Sequence, residues 1–374
     1  MKRVLGLLLG AVLVIAVGAA ILLGGDANRG GAGEGDDRAD AGSSAGRSTR
    51  VVGLVGSEKV PFFADQRVKD VLATHGLQVA VTPVGSRDMS AVPGLAEADF
   101  AFPSSAPAAD KVQEARAAQA VYEPFFSPVA IATFQPILEV LQTAGVARQS
   151  GGHWWFDVAA YYELAAEGTR WDALPGNTAY PASKDVLVTT TDLRRSNSAA
   201  MYLALVAYIA NGKKVVPNAT SADALVPKVA PLFLGQGYTG RSSEEPFEDY
   251  LAAGMGKTPM VLIYEAQFLG RSISADGAVT SSMVLMYPTP DVVSKHTVLA
   301  YSDAGARLGE LLADDPELAR LAATHGFRPK QPQIFADVLT ESGVAQPPEL
   351  VDVIEPPTFG VLERLIAGVE RLYG

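Results

Sequence analysis

Apolar segments typical of strands alternate with segments of helical spacing along residues 51–374, and this alternation constrains the fold more than any other feature. The apolar run 51–55 predicts a buried strand, and the spacing of apolar residues over 61–75 predicts the helix after it. The same criteria predict further strands at 78–84, 99–102, 186–191, 260–264 and 297–301, and further helices at 198–211, 304–313, 317–325 and 359–372. Alternation at this pace predicts the α/β class, with central sheets flanked by helices.

Two long extended stretches, 120–133 and 281–290, divide this pattern. They predict two segments that cross between two lobes, and a chain of 374 residues is long enough for both. The first lobe would then comprise residues 51–127 plus 286–374, and the second lobe residues 128–285.

The N-terminus predicts export. Lys2 and Arg3 precede an uncharged apolar stretch, residues 4–25. Roughly 20 helical residues cross a hydrocarbon core of about 30 Å, so residues 1–25 are predicted to form a signal anchor, a single transmembrane helix. The positive charges before it place the folded domain on the extracytoplasmic side of the cell membrane. A cleaved signal is the alternative and would give a secreted protein. Residues 26–50, rich in Gly, Ala, Asp and Ser, predict a flexible linker.

Composition excludes several function classes. The net charge of −11 has the wrong sign for a nucleic-acid partner, and zero cysteines exclude disulfides, thiolate metal sites and a cysteine nucleophile. Residues 51–374 contain no S-x-x-K, G-x-S-x-G or H-E-x-x-H motif. We therefore predict a protein that is not an enzyme, without catalytic residues, metal or cofactor.

A short motif occurs twice, as Ala73-Thr74-His75-Gly76 and as Ala323-Thr324-His325-Gly326. Each copy follows a predicted helix, where glycine is a favoured cap and histidine suits the negative end of the helix dipole. The motif therefore predicts two helix ends rather than a pair of functional histidines.

Hydroxyl residues cluster where predicted strands end and helices begin. In open α/β sheets, ligands bind beyond the carboxyl ends of the strands, where hydroxyls and free helix amides surround a polar or anionic group. Each such residue taken alone is more often an ordinary helix N-cap. Their distribution over both predicted lobes nevertheless favours a binding cleft. These residues are Ser57, Ser86, Ser104, Ser105, Thr191, Asp192, Ser196, Asn197 and Ser198.

Charged residues accompany these loops. A guanidinium or ammonium facing the cleft would pair with a ligand anion, and one of Arg87, Arg194 or Arg195 is expected to supply it. Glu265 follows a buried strand, where a carboxylate needs a partner, a cation or a ligand. The charged candidates for ligand contact are Glu58, Lys59, Arg87, Arg195 and Glu265.

The sequence resembles the type 2 periplasmic or extracellular solute-binding proteins, the substrate-binding components of ABC importers. The segments that carry the resemblance are Gly56-Ser57, Ser104-Ser105, Trp171-Asp172-Ala173-Leu174, Thr191 to Ser198, Tyr264-Glu265, Met286-Tyr287-Pro288 and Gly326-Phe327-Arg328-Pro329. The resemblance implies two α/β lobes, a two-segment hinge, a ligand enclosed by closure and an ABC permease as partner. It also implies ligand contacts at Ser57, Ser86, Ser104 and residues 196–198. Members in Gram-positive cells are typically lipoproteins, and this chain has no cysteine to acylate.

The sequence thus predicts a membrane-tethered, extracytoplasmic protein that captures a small polar or anionic solute between two lobes. The alternative is a membrane-anchored scaffold or signalling partner that uses the same fold for protein contacts.

Overall fold

The computed structural model describes residues 48–236, 240 and 242–373. The predicted anchor at residues 1–25 and most of the predicted linker lie outside these residues. Among the residues described, no helix combines the length and the apolar character needed to cross a membrane.

The strands form two sheets that share one long strand. They are β1 (Thr49–Val55), β2 (Leu77–Pro83), β3 (Phe100–Phe102), β4 (Ala120–Phe134), β5 (Ala147–Ser150), β6 (His153–Asp157), β7 (Met260–Tyr264), β8 (Met283–Thr289), β9 (Asp291–Ala300), β10 (Arg328–Pro329) and β11 (Val353–Ile354).

The first sheet has the order β2-β1-β3-β9-β4. β1 runs parallel to β2 and β3, so the loops that follow these three strands meet at one edge. β9 is antiparallel to β3 and β4, and β10 adds to β4. β11 pairs in parallel with the start of β9.

The second sheet begins where β4 changes partners. β4 pairs with β9 as far as Pro128 and with β7 from Val129 onward. β8 lies on the other side of β4 and continues the sheet through β6 to β5. All five residues of β7 are buried, as expected for a continuous apolar run in a central strand.

Helices cover both sheets. They are α1 (Val60–Ala64), α2 (Gln66–Thr74), α3 (Ala106–Ala115), α4 (Gln135–Thr143), α5 (Val158–Ala166), α6 (Asn197–Ala210), α7 (Ala219–Val229), α8 (Pro231–Leu234), α9 (Glu244–Ala253), α10 (Glu265–Ser274), α11 (Asp303–Asp314), α12 (Pro316–Thr324), α13 (Pro332–Glu341) and α14 (Phe359–Glu370). Short 3-10 helices cover Ser57–Lys59, Met89–Ala91, Pro93–Leu95 and Trp171–Ala173.

The C-terminal helix α14 packs against α3, α6 and α7. Gly368 permits the close approach to α7, because a Cβ there would lie 2.3 Å from Cγ2 of Val226. The exposed Arg364 adds a two-pronged ion pair to Asp223, at 2.7 and 2.8 Å. Since α3 precedes β4 in the chain and α6 and α7 follow it, α14 links helices from both sides of the shared strand.

Two sequence-based expectations were wrong in detail. The helix predicted over 61–75 is broken between α1 and α2, because Asp65 is extended and its carboxylate caps α2 by accepting from the amide of Arg67. The strand predicted over 186–191 forms only isolated bridges, one of them between Thr189 and Val261. Its neighbouring amides bond to side chains instead, and these bonds interrupt the ladder: Val188 donates to the Tyr161 hydroxyl and Thr190 to the Gln236 carbonyl oxygen.

Candidate ligand-binding site

The loops after β1, β2 and β3 meet the N-terminus of α6 around one small cavity. Its volume is about 10 Å³, close to the minimum that holds one water. Most of the residues that line it carry polar side chains. The lining residues are Gly56, Ser57, Glu58, Gly85, Ser86, Ser104, Ser196, Asn197, Ser242, Ser243 and Tyr264.

The serines of the first sheet form a connected hydroxyl network. Ser104 and Ser86 share a hydrogen bond of 2.9 Å between their hydroxyls, and the Ser104 amide donates to the Ser86 hydroxyl at 3.1 Å. The Ser104 hydroxyl in turn donates to Oε1 of Glu58. Ser86 and Ser104 are both buried, so this network is shielded from solvent.

A buried lysine lies directly behind this network. Lys59 is fully buried, and its Nζ is 2.5 Å from Oε1 of Glu58 and 3.0 Å from the Ser104 hydroxyl. Burial lowers the pKa of Lys59, while the neighbouring Glu58 carboxylate acts in the opposite direction. A buried ammonium is tolerated only when paired in this way.

His296 on β9 completes the buried charge cluster. Its Nδ1 is 3.0 Å from Lys59 Nζ. Burial lowers the pKa of His296 well below its usual value, and the charge of Lys59 adds to that effect. The imidazole is therefore neutral, and beside a charged Lys59 its Nδ1 is the acceptor. Within the described part of the chain, Nε2 has no hydrogen-bond partner.

The opposite wall comes from the start of α6. Asn197 accepts a hydrogen bond from the Ser105 hydroxyl and donates through Nδ2 to the Tyr264 hydroxyl at 2.9 Å. Ser105 follows β3 of the first sheet, whereas Tyr264 ends β7 of the second sheet. Asn197 therefore joins side chains carried by the two sheets across the cavity. Burial raises the pKa of Tyr264, so its hydroxyl stays protonated.

The N-terminus of α6 is buried among hydroxyls. Ser196 occupies the N-cap position, and among the described residues its side chain makes no capping bond to the helix. Its hydroxyl lies 3.0 Å from that of Ser198, which lies 3.0 Å from that of Thr191. First-turn amides of a helix need an acceptor and carry partial positive charge. The arrangement is suited to an anion or another acceptor group.

The arginines predicted to face a ligand lie elsewhere. Arg87 is buried, but its guanidinium pairs with Glu363 on α14 at 2.6 Å. Arg195 contacts Asp88 at 3.5 Å. Both arginines line a separate polar cavity of about 410 Å³ rather than the small hydroxyl cavity.

Asp192 and Glu265 also have protein partners. Asp192 pairs with Arg194 at 2.7 Å. Glu265 accepts two hydrogen bonds of 2.7 Å from Arg328 and one of 2.8 Å from the Tyr287 hydroxyl. The buried carboxylate predicted from the sequence therefore has its cation inside the protein, outside the small cavity.

Of the predicted residues, Ser57, Glu58, Ser86, Ser104, Ser196 and Asn197 line the cavity. Lys59, Ser105, Thr191 and Ser198 support that wall through hydrogen bonds, and Arg87, Asp192, Arg195 and Glu265 lie outside it. Which of them contact a ligand stays a prediction.

Sequence reasoning missed Tyr264, Ser242, Ser243 and His296. Tyr264 carried a signal, because a tyrosine that ends a buried strand needs a partner for its hydroxyl. His296 carried none, since nothing local places it beside Lys59, 237 residues away.

Comparison with known proteins gives structural matches only. No protein-family profile matches the chain, and no curated protein matches its sequence. The sulfate-binding protein SubI from Mycobacterium tuberculosis is similar in structure, with TM-score 0.51, 15% identity and coverage of 87% of this chain and 99% of SubI. The apo ferric ion-binding protein A of Pasteurella haemolytica gives TM-score 0.54, 12% identity and coverage of 86% and 96%.

A further match is the periplasmic binding protein AfuA from Actinobacillus pleuropneumoniae, solved with fructose-6-phosphate. It gives TM-score 0.54, 10% identity and coverage of 87% of this chain and 96% of that protein. These matches confirm the predicted fold class. The chain has the two-lobed α/β fold of the periplasmic solute-binding proteins of ABC transporters.

Proposed function

We propose that this protein is an extracytoplasmic solute-binding protein that captures a small polar or anionic solute in the cleft around Ser104 and Ser196. The solute would be delivered to an ABC-type importer, and residues 1–25 would tether the protein to the membrane. The proposal is one of binding rather than catalysis, in keeping with the structural matches, which are named as binding proteins.

One observation carries the proposal. Hydroxyls that follow β1, β2 and β3 of the first sheet converge with the buried N-terminus of α6 on one cavity. Serine hydroxyls can donate as well as accept, and the first-turn amides of a helix are donors that need an acceptor. Such a site favours a ligand with acceptor oxygens.

Capture by closure is supported by the positions of the two cavity walls, since one comes from loops of the first sheet and the other from the start of α6. We assign residues 51–127 plus 286–374 to one lobe and residues 128–285 to the other, with hinges where β4 changes sheets and where β8 leads into β9. The solute would select the closed state because only there do Ser104 and Asn197 face each other across it. The bond from Ser105 to Asn197 would then form on closure.

The test is to identify the small molecule that co-purifies with the full-length chain. Protein expressed in its natural medium is denatured, and the released solute is identified and quantified by mass spectrometry. We expect wild type to retain about one solute per chain. The double variant Ser104→Ala/Ser196→Ala should retain it at least about tenfold less tightly, since each lost buried hydrogen bond weakens binding.

Ser281 is exposed and does not line the cavity, so Ser281→Ala is the matched control and should retain the solute like wild type. Equal solute retention by the double variant and by wild type would contradict the proposal.

The small size of the cavity favours a second candidate function. A volume of about 10 Å³ leaves no room for an organic solute in the described conformation. A scaffold or signalling partner that uses the fold for protein contacts would need no solute. Under that function, the Ser104→Ala/Ser196→Ala variant would still capture its protein partner, and wild type would release no small molecule.

A further inference from the structure

The cavity already contains a carboxylate from the chain itself. The Glu58 side chain is 3% exposed, and its Oε1 accepts from the Ser104 hydroxyl and from Lys59. Gly56 makes room for it, because a Cβ at that position would lie 2.7 Å from both Glu58 carboxylate oxygens. Gly56, the Ser104 hydroxyl and the Lys59 ammonium thus surround a carboxylate that belongs to the protein itself.

These are the partners that a solute anion would need. A hydroxyl backed by a second hydroxyl, a buried ammonium and a nearby helix N-terminus together form an anion site. The remaining cavity of about 10 Å³ cannot hold a carboxylate or a tetrahedral oxyanion besides Glu58. A solute anion and the Glu58 carboxylate therefore compete for the same partners.

A cationic ligand fits this arrangement less well. The positive partner of Glu58 is Lys59, the next residue in the chain, and Lys59 is fully buried. A ligand ammonium would have to compete with that lysine at close range and without solvent screening. Exchange of one anion for another keeps the buried ammonium paired, so it costs less.

Glu58 also lines a neighbouring cavity of about 220 Å³, together with Arg271, Glu244 and Asp276. Arg271, which lies 3.3 Å from Asp276 and 3.6 Å from Glu248, would receive the displaced carboxylate, whereas the carboxylates of Glu244 and Asp276 oppose it. Burial raises the pKa of Glu244, and the charge of Glu58 raises it further. Movement of Glu58 into this cavity is therefore favoured only when an incoming anion replaces it at Lys59.

We propose that Glu58 is a built-in occupant of the solute site, and that a solute carboxylate or oxyanion binds by displacing its carboxylate from Lys59 and Ser104. This inference rests on the proposed function and names the chemical class of its solute as a small anion. It also explains how Lys59 can stay buried without a solute, because Glu58 then pairs with it.

The test is isothermal titration of the full-length chain with sodium sulfate and, separately, sodium formate, at constant ionic strength. Glu58→Ala removes the internal competitor, so it should bind at least one of these probes about tenfold or more tightly than wild type does. Glu58→Gln fills the same space without charge, so it should show a smaller gain than Glu58→Ala does, because its amide still occupies the site but no longer pairs with Lys59. The exposed Glu97→Ala is the control for a change in net charge and should behave like wild type.

Unchanged or weaker binding of both probes by Glu58→Ala would overturn the inference, because Glu58 would then recognise the solute or serve structure alone. If Glu58→Ala does not fold, Glu58→Asp, which shortens the side chain by one methylene, should show a gain in the same direction, and absence of that gain is equally contradictory.

The outcome is separable from that of the proposed function. A gain in Glu58→Ala with no solute retained by wild type supports the exchange site and contradicts solute capture. Retention by wild type without a gain in Glu58→Ala contradicts the exchange site alone.

Discussion

At the scale of the residue, burial changes the protonation equilibria of the ionisable groups behind the small cavity, Lys59 and His296. Burial lowers the pKa of Lys59 and the neighbouring Glu58 carboxylate opposes that effect, whereas burial and the charge of Lys59 both lower the pKa of His296. Phe102, Phe125 and other rings surround the imidazole and exclude water. The proposed anion site therefore places Lys59, paired with Glu58, beside a neutral imidazole.

His296 makes a prediction for stability against pH. Its pKa is lowered in the folded protein, so the unfolded chain takes up the proton first as pH falls below about 6.5. The group stabilises the fold above that pH, and the contribution is lost as pH falls further. We expect its part of the free energy of unfolding to decline by about 1.4 kcal/mol per pH unit below pH 6.5.

Urea unfolding of wild type and His296→Gln between pH 7 and 5 measures this contribution. For His296→Gln, the free energy of unfolding should fall less steeply with decreasing pH than for wild type, even if the variant is less stable at every pH. Phe125→Leu disturbs the same aromatic cluster without removing a titrating group, so it should keep the wild-type slope. Parallel curves for wild type and His296→Gln would contradict the assignment.

The cleft serines were predictable from sequence, and the ion pairs were not. Ser57, Ser86 and Ser104 follow strands, and parallel strands bring their following loops to one edge whatever the rest of the chain does. Arg87, one of three arginines of which one was expected to supply charge to a ligand, pairs with Glu363, 276 positions along the chain, and its contact with a ligand stays a prediction. No local pattern encodes a partner so remote, so the direction of a charged side chain could not be predicted.

At the scale of the element, the repeated Ala-Thr-His-Gly motif turns out to join two helices. His75 ends α2 and His325 ends α12, each followed by a glycine with positive φ, at 73° and 81°. The predicted helix ends are thus confirmed. Each histidine also contacts the N-cap of the other helix: His75 lies 3.2 Å from Asp315, and His325 lies 3.0 Å from Asp65.

This reciprocal arrangement had a sequence signal, because in both copies an aspartate precedes the histidine by ten positions. The contact between the copies needs the two helices side by side, which the spacing alone does not dictate. By contrast, 260–264 was predicted with the bounds that β7 has, since a fully buried strand leaves an uninterrupted apolar run.

Asp315 gives a prediction at this scale. Its carboxylate accepts from the amides of Glu317 and Leu318 at 2.9 and 3.0 Å, at the start of α12. Asp315→Ala should lower the free energy of unfolding by about 1–2 kcal/mol, since it removes the cap. Asp315→Asn keeps a good cap and should cost less than about 0.5 kcal/mol, the part due to the partly exposed contact with His75.

Urea unfolding at pH 7 measures both variants. Equal losses for Asp315→Ala and Asp315→Asn would show that the charge, rather than the cap, stabilises this end of α12.

At the scale of the whole molecule, the account depends on two sheets that are connected through few segments. β4 passes from one sheet to the other between Pro128 and Val129, and β8 leads directly into β9. The helix α14 contacts α3 on one side of this division and α6 and α7 on the other. Under the proposed capture by closure, opening would therefore bend β4 and the β8–β9 connection and shift the contacts of α14.

A distance measurement between the two halves tests solute capture by closure most directly. The chain has no cysteine, so spin labels attach only at introduced positions, and Glu97→Cys and Lys214→Cys lie on exposed surfaces of the two halves. Pulsed electron–electron double resonance measures the distance between the two labels in the full-length double variant. It is recorded with the co-purified small molecule bound, after that molecule is removed, and after it is added back. We expect removal to lengthen and broaden the distance distribution, its return to shorten it again, and Ser196→Ala to abolish the response. Identical distributions in all three states would contradict capture by closure.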